Sequence, residues 1–366
     1  MPFQQRSAQL IINLSRLRNN FNVLKNKLKN ERILATVKAD AYGHGIIPIA
    51  RTLAQSGCNC FGVASFGEGI TLRHAGIRKP IVVFIPPLPN EIKLFRFYNL
   101  TPTITDINTL TLINKKLRRP MKMHLNIDTG MGRLGFRPED YSVLFDTIRT
   151  QKKIVIEGLY THFYHSTNKR SVQQQLNRFN TFLHAWEVQR PLPSLIHAAN
   201  SVASLYTPAS RFTMVRPGIM LYGLSPDNKI TDPSMQCISS LRTKIVSVRT
   251  IPAGTSLSYL ARYTTKRKSI IATVAAGYGD GIPRALTNKG RVLVKKTFAK
   301  MVGTICMDQL LIDATAIARV QPGDEVVLWG HQGNKELSVH EHAAHADTIT
   351  YEILCRIPRQ VKRIYV

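Results

Sequence analysis

The sequence predicts an α/β protein in which a (β/α)8 barrel of the TIM type is followed by a mainly antiparallel β domain. From about residue 30 to 220, short apolar runs typical of buried parallel strands alternate with longer helix-like stretches. After about residue 235 the segments are short, β-rich and separated by glycines. A chain of 366 residues is long enough for two domains. We assign residues 9–234 to the barrel and 235–366 to the β domain, with residues 1–8 packing on the β domain.

Several apolar runs have the length and composition of barrel strands. They are Arg32–Val37, Cys60–Ala64, Ile81–Ile85, Pro102–Thr105, Met121–Ile127, Ile154–Tyr160, Ser194–His197 and Phe212–Val215. Helices are predicted between them, for example over Gly45–Gln55, Asp106–Lys116, Glu139–Thr150 and Ser171–Glu187. The strands predicted in the second domain are Ser239–Arg249, Lys268–Ala275, Gly290–Val294, Met301–Thr304, Leu310–Ile312 and Asp324–Leu328, and a helix is predicted over Ser338–Asp347.

The charge balance is the unusual part of the composition. Lysine and arginine number 50 against 22 aspartates and glutamates, which gives a net charge of +28. The basic residues are spread along the chain, and the densest clusters, at 117–119 and 266–268, lack interleaved aromatic residues. A generally basic surface is therefore favoured over nucleic-acid binding.

The chain has the features of a cytoplasmic protein. Its five cysteines are scattered and odd in number, which suits a reducing compartment better than a disulfide framework. Near the N-terminus only Leu10–Ile12 is continuously apolar, and no run reaches membrane length. The histidines of 340–345 miss the spacing of a zinc-binding helix by one residue, so they are interpreted as solvated and no metal is predicted.

Polar side chains cluster at the carboxyl ends of the predicted strands, the barrel face on which active sites assemble. They are Lys38 and Tyr42 after the first strand, Arg133 after the fifth, His162 after the sixth, Asn200 and Ser201 after the seventh, and Arg216, Gly218 and Ile219 after the eighth. Small residues after strands seven and eight favour a phosphate site, because they let backbone N–H groups approach an anion. A lysine that ends a buried strand is desolvated, which favours the neutral amine needed for Schiff-base chemistry.

The string around Lys38, ATVKADAYGHG at residues 35–45, closely resembles the lysine motif with which the alanine racemases bind pyridoxal phosphate (PLP). Three segments further along the barrel resemble the same family in the same order: DTGMGRLG at 128–135, HAANS at 197–201 and VRPGIMLYG at 215–223. The resemblance implies that Arg133 contacts the cofactor and the substrate, and that Arg216 faces the pyridine nitrogen. It also implies cofactor contacts for Tyr42, His162, Asn200, Ser201, Gly218 and Ile219.

The second domain carries matching segments. Ser258-Tyr259 resembles the catalytic tyrosine site of the family, although Leu260-Ala261-Arg262 after it departs from the family pattern. The segments at 277–281 and 305–309 resemble the entrance and the substrate-carboxylate segments, which implies these roles for Tyr278 and Met307. Thr350-Tyr351-Glu352 resembles the segment whose tyrosine reaches the cofactor phosphate.

Membership of this family would imply racemisation of L-alanine and D-alanine with PLP, supplying D-alanine for peptidoglycan. Racemisation needs a base on each side of the substrate α-carbon. The resemblance gives these roles to Lys38 and to Tyr259 of a partner subunit, so that a homodimer shares its active sites. A chain of hydrogen bonds through His162 to Arg216 would help the tyrosine to act as a base.

Three other functions are weighed against this one. A PLP amino-acid decarboxylase of the same architecture is disfavoured by the matches at Tyr259, Met307 and Tyr351. A racemase of broader specificity is usually exported, and no signal peptide is found. A non-enzymatic PLP-binding barrel would not need the matched segments of the second domain.

The clearest departure from the family is at Asn126, two residues before the Asp-Thr-Gly motif. Many alanine racemases have a carbamylated lysine there, whose negative charge orients the arginine that corresponds to Arg133. A neutral amide forms weaker hydrogen bonds than a charged group does. We therefore hypothesise that a small anion, most plausibly chloride, binds beside Asn126 and Arg133.

Overall fold

The computed structural model describes residues 6–226 and 232–366, so the predicted packing of residues 1–5 lies outside the described residues. The described residues form two compact units. The first unit comprises Arg18–Ala41 and Ile46–Leu221, and the second comprises the remaining described residues. No helix in these ranges is long and apolar enough to cross a membrane.

The strands are numbered in chain order. They are β1 (Gln9–Ile12), β2 (Arg32–Thr36), β3 (Cys60–Val63), β4 (Ile81–Val83), β5 (Thr101–Ile104), β6 (Met121–Asn126), β7 (Ile154–Tyr160), β8 (Leu195–His197), β9 (Met214–Val215), β10 (Ser239–Ile251), β11 (Ser256–Leu257), β12 (Tyr263–Thr264), β13 (Ser269–Val274), β14 (Arg291–Val294), β15 (Thr297–Met301), β16 (Leu310–Asp313), β17 (Glu325–Gln332), β18 (Lys335–Leu337) and β19 (Lys362–Tyr365).

The first unit contains a nearly closed parallel barrel, which confirms the predicted fold class. Within the described chain, eight strands pair in the order β8-β7-β6-β5-β4-β3-β2-β9. Strand interiors such as Leu34, Val82 and Met214 are buried together, as strands covered on both faces require. Each predicted barrel strand is present, and β4 ends two residues before the predicted Ile85. Pro86 and Pro87 follow that position, and proline cannot donate to a strand ladder.

Helices connect the barrel strands, and several of them begin at side-chain caps. The α-helices of the chain are Leu14–Lys27, Ile46–Gln55, Phe66–His74, Ile92–Phe97, Ile107–Lys116, Tyr141–Thr150, Lys169–Gln189, Ser201–Tyr206, Val339–His345 and Thr350–Cys355. Short 3-10 turns are Pro138–Asp140, Pro208–Ser210, Ile219–Tyr222, Tyr259–Ala261, Tyr278–Asp280 and Arg284–Leu286. Asp106, for example, accepts a hydrogen bond from the Thr109 N–H at 2.8 Å, which satisfies one of the donors that a helix start leaves open.

The second unit is built on a mainly antiparallel sheet, as predicted. Its order in the described residues is β18-β17-β14-β15-β16-β13-β10-β1-β19. The barrel is predicted to begin at residue 9, but β1 lies in this sheet, between β10 and β19. Leu10 and Ile12 of β1 are buried and alternate with half-buried neighbours, which is the pattern of a sheet strand with one covered face.

Two further predictions for the second unit were wrong. A strand was predicted over Met301–Thr304, but β15 covers Thr297–Met301 and follows β14 through a two-residue hairpin at Lys295 and Lys296. The histidines of 340–345 were interpreted as solvated, but His342 is buried, with its Nε2 atom 3.2 Å from the Arg291 carbonyl. No group of three or more metal-ligating side chains is found among the described residues.

Candidate active site

Lys38 stands at the carboxyl end of β2, the first barrel strand, and is half-buried. The residues after it, Ala39 to Tyr42, all have left-handed backbone angles, with φ between 52° and 54°. Successive non-glycine residues rarely adopt this conformation, so the surrounding structure must hold it in place. The Asp40 carboxylate does so in part by accepting a hydrogen bond from the Ile46 N–H at 2.8 Å. The position of Lys38 is therefore set by its strand and by this left-handed turn.

An anion cradle lies after β8 and β9. The buried Ser201 hydroxyl oxygen accepts hydrogen bonds from the N–H groups of Gly218 at 2.8 Å and Met220 at 3.4 Å. Its own hydrogen has no acceptor among the described residues. The N–H groups of Ser201 and Ile219 open helical turns and have no acceptor within them. Asn200 caps the Ser201 helix through the Ala203 N–H. A hydroxyl hydrogen and free N–H groups fit the phosphate of PLP.

Arg216 follows β9 and is 5% exposed. Its guanidinium donates hydrogen bonds to the carbonyl groups of His197, Thr161 and Ala198 at 2.9, 2.7 and 3.2 Å. It also contacts the Nδ1 atoms of His197 at 2.7 Å and His162 at 3.3 Å. Burial lowers the pKa of Arg216 to about 10, so the group stays charged near neutrality. It forms no ion pair with a carboxylate of the described residues, which leaves its positive charge uncompensated.

His162 is neutral at this site. Burial and then the charges of Arg216, Arg133 and Lys38 lower the pKa of His162 to about 3. A guanidinium can only donate, so the Nδ1 atom of His162 accepts from Arg216 and its ring hydrogen sits on Nε2. His162 therefore presents an N–H donor on the side away from Arg216.

Arg133 projects from the loop after β6. It is exposed and makes no hydrogen bond or ion pair with a described residue. The loop is shaped by Asp128, whose carboxylate accepts from the N–H groups of Gly130, Met131 and Gly132. Partial burial acts to raise the pKa of Asp128, but these donors outweigh it and lower the pKa. The Asn126 amide donates to the carbonyl of Leu134, next to Arg133, at 3.1 Å.

Tyr259, Tyr278 and Met307 lie together on the second unit. The Tyr278 N–H donates to the Cys306 carbonyl at 3.0 Å, and the Tyr259 carbonyl accepts from the Thr304 hydroxyl at 2.7 Å. Gly277 allows this approach, because a Cβ atom there would lie 2.2 Å from the Cys306 oxygen. The side chains of Tyr259, Tyr278 and Met307 are 69%, 42% and 53% exposed. The Met307 N–H has no acceptor among the described residues, so it is free to bind a carboxylate.

Tyr42 and Tyr351 also belong to the second unit, where their ring centroids are 5.8 Å apart. Burial raises the pKa of Tyr42 above its ordinary range and that of Tyr351 to about 12. Both hydroxyl groups therefore remain protonated and can donate a hydrogen bond to an anion.

Arg6 joins the two exposed segments of this unit, although no sequence motif predicts a role for it. Its guanidinium lies 3.4 Å from the buried Asp280 carboxylate and 2.5 Å from that of Asp308. Asp280 follows Tyr278 in its turn, and Asp308 follows Met307. Burial raises the pKa of Asp280, although the Gly277 N–H and Arg6 act to lower it. About three hundred residues separate Arg6 from these partners, so no local pattern signals the contact.

A lysine, a buried uncompensated arginine and an anion cradle at the carboxyl ends of barrel strands define a barrel enzyme with an anionic ligand. Family models for the N-terminal and the C-terminal domain of alanine racemase match residues 12–226 and 238–365. The chain belongs to the alanine racemase family and is therefore an isomerase that acts on amino acids.

Individual relatives agree with this membership. An alanine racemase of Halothermothrix orenii is 42% identical over 361 residues, which cover 97% of this chain and 95% of the relative. The Bacillus anthracis alanine racemase structure with bound L-Ala-P has a TM-score of 0.93 at 32% identity, covering 100% of this chain and 96% of that one. The Bartonella henselae alanine racemase structure with covalently bound pyridoxal phosphate has a TM-score of 0.91 at 27% identity, covering 98% and 99%.

Proposed function

We propose that the chain racemises L-alanine and D-alanine with PLP held covalently by Lys38. The observation that carries the proposal is the buried Arg216, a cation without a carboxylate partner, on the barrel face that also bears Lys38 and the Ser201 cradle. The relative with covalently bound pyridoxal phosphate and the relative with bound L-Ala-P support the cofactor and the substrate class. When bound, PLP withdraws electrons from the amino acid and so makes its α-proton acidic.

Several residues would hold this cofactor. The Ser201 hydroxyl, Asn200 and the N–H groups of Ser201 and Ile219 would bind the phosphate, while the Gly218 N–H holds the Ser201 hydroxyl oxygen in place. The resemblance gives Tyr42 and Tyr351 contacts with the same phosphate. Arg216 faces the pyridine nitrogen in this proposal. Because it keeps its own proton, it leaves that nitrogen unprotonated, which disfavours transamination as a side reaction.

Two residues move protons, one on each side of the substrate. Lys38 would hold PLP, and its amine would serve as one base. Tyr259 of a partner subunit is the other base. The Nε2–H donor of His162 stabilises the phenolate of that tyrosine and so lets it take a proton. Arg133, with the backbone N–H of Met307 of the partner subunit, would bind the substrate carboxylate and fix the α-carbon between the bases.

The proposed oligomeric state, location and biological role follow from the resemblance to the alanine racemases. We propose a homodimer with shared active sites in the cytoplasm, which supplies D-alanine for peptidoglycan. The exposed Tyr259, Tyr278 and Met307 support a partner subunit that covers them.

The test is incubation of the purified protein with L-alanine, followed by chiral chromatography. Approach to an equal mixture of the two enantiomers is expected, because they have equal free energies. Carbon dioxide release would indicate a decarboxylase instead, and turnover of many amino acids would indicate broader specificity. No turnover despite bound PLP would contradict the proposal in favour of a cofactor-binding protein.

Tyr259→Phe is expected to slow proton removal from L-alanine by roughly three orders of magnitude, because the base on that side is lost. Proton removal from D-alanine, which Lys38 performs, should fall much less. The measurement is α-carbon deuterium exchange in heavy water, followed separately for each enantiomer. Tyr263→Phe, a tyrosine of the same unit outside the site, is the control. Equal losses for both enantiomers, with PLP retained, would contradict one base on each side.

Chloride is expected to support catalysis by binding beside Asn126 and Arg133. The Asn126 amide has a second hydrogen beyond the one given to Leu134, and Arg133 has no ion-pair partner among the described residues. Replacing chloride by a bulky anion at fixed ionic strength should therefore raise KM for alanine about threefold or more. Added bicarbonate should have no effect.

Asn126→Asp is the matched control, because its carboxylate supplies the negative charge directly. This variant should be indifferent to halide. A bromide soak should place anomalous density near Arg133 in the unchanged protein. Full activity without halide, together with an empty site in the soak, would exclude the anion.

A further inference from the structure

A buried row of three side chains runs through the barrel interior from Arg216. The Nη1 atom of Arg216 lies 2.7 Å from Nδ1 of His197, and Nε2 of His197 lies 3.0 Å from Nδ1 of His124. His124 and His197 are 1% and 0% exposed. The proposed function uses Arg216 but gives no role to His124.

The chemistry of the donor determines where each hydrogen in the row sits. A guanidinium has no acceptor, so Nδ1 of His197 must carry the lone pair and Nε2 must carry the hydrogen. This Nε2–H group then donates to Nδ1 of His124, which in turn must be an acceptor. Burial, followed by nearby positive charge, lowers the pKa of His124 to about 3 and that of His197 well below its ordinary value. Both rings are neutral, so the row has one consistent arrangement of hydrogens.

The packing holds both rings in place. The His197 ring stacks on Tyr160 with centroids 4.8 Å apart and planes inclined by 8°. The guanidinium carbon of Arg216 lies 5.0 Å from the centroid of the Tyr160 ring. The His124 ring lies against Gly158 of β7, where a Cβ atom would come within 2.7 Å of Nδ1. The chain thus has a glycine at the position where any side chain would displace the acceptor.

We infer that His124 is a positioning residue, which fixes the tautomer of His197 and thereby the direction of the Arg216 guanidinium. Without an acceptor at this position, the Nε2–H of His197 would be buried and unpaired. The tautomer with the hydrogen on Nδ1 would then be favoured, and this hydrogen would face the Nη1 donor of Arg216. Arg216 would turn away from the position from which it faces the pyridine nitrogen. The effect on how Arg216 faces the pyridine nitrogen rests on the proposed function, whereas the tautomer assignment of His197 does not.

The experiment compares His124→Asn with His124→Leu. The side-chain oxygen of asparagine occupies roughly the place of Nδ1 and keeps the acceptor, whereas leucine removes it. The full-length protein is labelled with ¹⁵N at histidine, and its ring signals are assigned by comparing variants. We expect the Nε2–H tautomer of His197 in the unchanged protein and in the asparagine variant. We expect the Nδ1–H tautomer, or a mixture, in the leucine variant.

A second readout concerns the reaction. The ratio of transamination to racemisation should rise about tenfold in His124→Leu, because Arg216 no longer holds its position. The ratio should stay near its original value in His124→Asn. A merely structural role for His124 would lower both rates together and leave their ratio unchanged.

Three results would overturn the inference. They are the Nδ1–H tautomer of His197 in the unchanged protein, an unchanged tautomer in His124→Leu, and an unchanged ratio in that variant. If His124→Leu does not fold, the test is made on the unchanged protein. The measurement is then the N–N scalar coupling across the hydrogen bond between His197 and His124. If the coupling is observed, the hydrogen-bonded row of Arg216, His197 and His124 is supported. If it is absent, the inference is overturned. A protein with this coupling but without alanine racemisation would refute the proposed function and leave the row standing.

Discussion

Lys38→Ala is expected to lose covalently held PLP and to lower racemisation by at least roughly three orders of magnitude, because it removes both the attachment point and one base. Reduction of the unchanged protein with borohydride, followed by peptide mapping, should place the pyridoxyl group on Lys38. The physical reason is the position of Lys38 at a strand end, half-buried and close enough for its charge to lower the pKa of His162.

Lys79→Ala is the control, since Lys79 is exposed and lies outside the candidate site. This variant should keep the yellow colour, the label and the activity. A pyridoxyl group on any lysine other than Lys38 would contradict the assignment.

Mixing inactive Lys38→Ala chains with inactive Tyr259→Phe chains is expected to restore about a quarter of the original activity. Random exchange makes half of the dimers mixed, and each mixed dimer has one intact site if Lys38 and Tyr259 come from different subunits. The measurement is racemase activity after subunit exchange, with the mixed species quantified by native mass spectrometry.

The matched control mixes Lys38→Ala with Arg216→Leu chains. Both changes lie on the barrel, so no mixed dimer would have an intact site and no activity should return. If mixed dimers of the first pair form but remain inactive, the active site is not shared between subunits.

The barrel could be predicted because its signal is local. Each strand is a short apolar run, and the polar residues that follow it, such as Lys38 and Arg216, mark its carboxyl end. The hairpin between β14 and β15 could not be predicted. Its turn residues Lys295 and Lys296 adopt positive φ angles, which Asn-Gly sequences usually signal. The predicted strand, Met301–Thr304, therefore begins four residues after the start of β15.

The site was predicted from the same strand ends, but its supporting contacts were not. Arg6 reaches Asp280 and Asp308 from the opposite end of the chain. His124 points into the barrel from the middle of β6 and resembles any other core position in the sequence. Such contacts depend on which strands are neighbours in space. A single sequence does not show which side chains meet when they are far apart along the chain.

The position of β1 has a consequence for how the protein is made. Gln9 pairs with Lys362 and Ile12 with Tyr365, while the other edge of β1 pairs with β10. Barrel strands mostly find their partners among segments synthesised just before them, so the barrel can assemble while the chain is still on the ribosome. The first strand, in contrast, waits for almost the last residues to emerge. Until β10 and then β19 have been synthesised, the two edges of β1 lack their native partners, and an unpaired strand edge is a template for pairing with other chains.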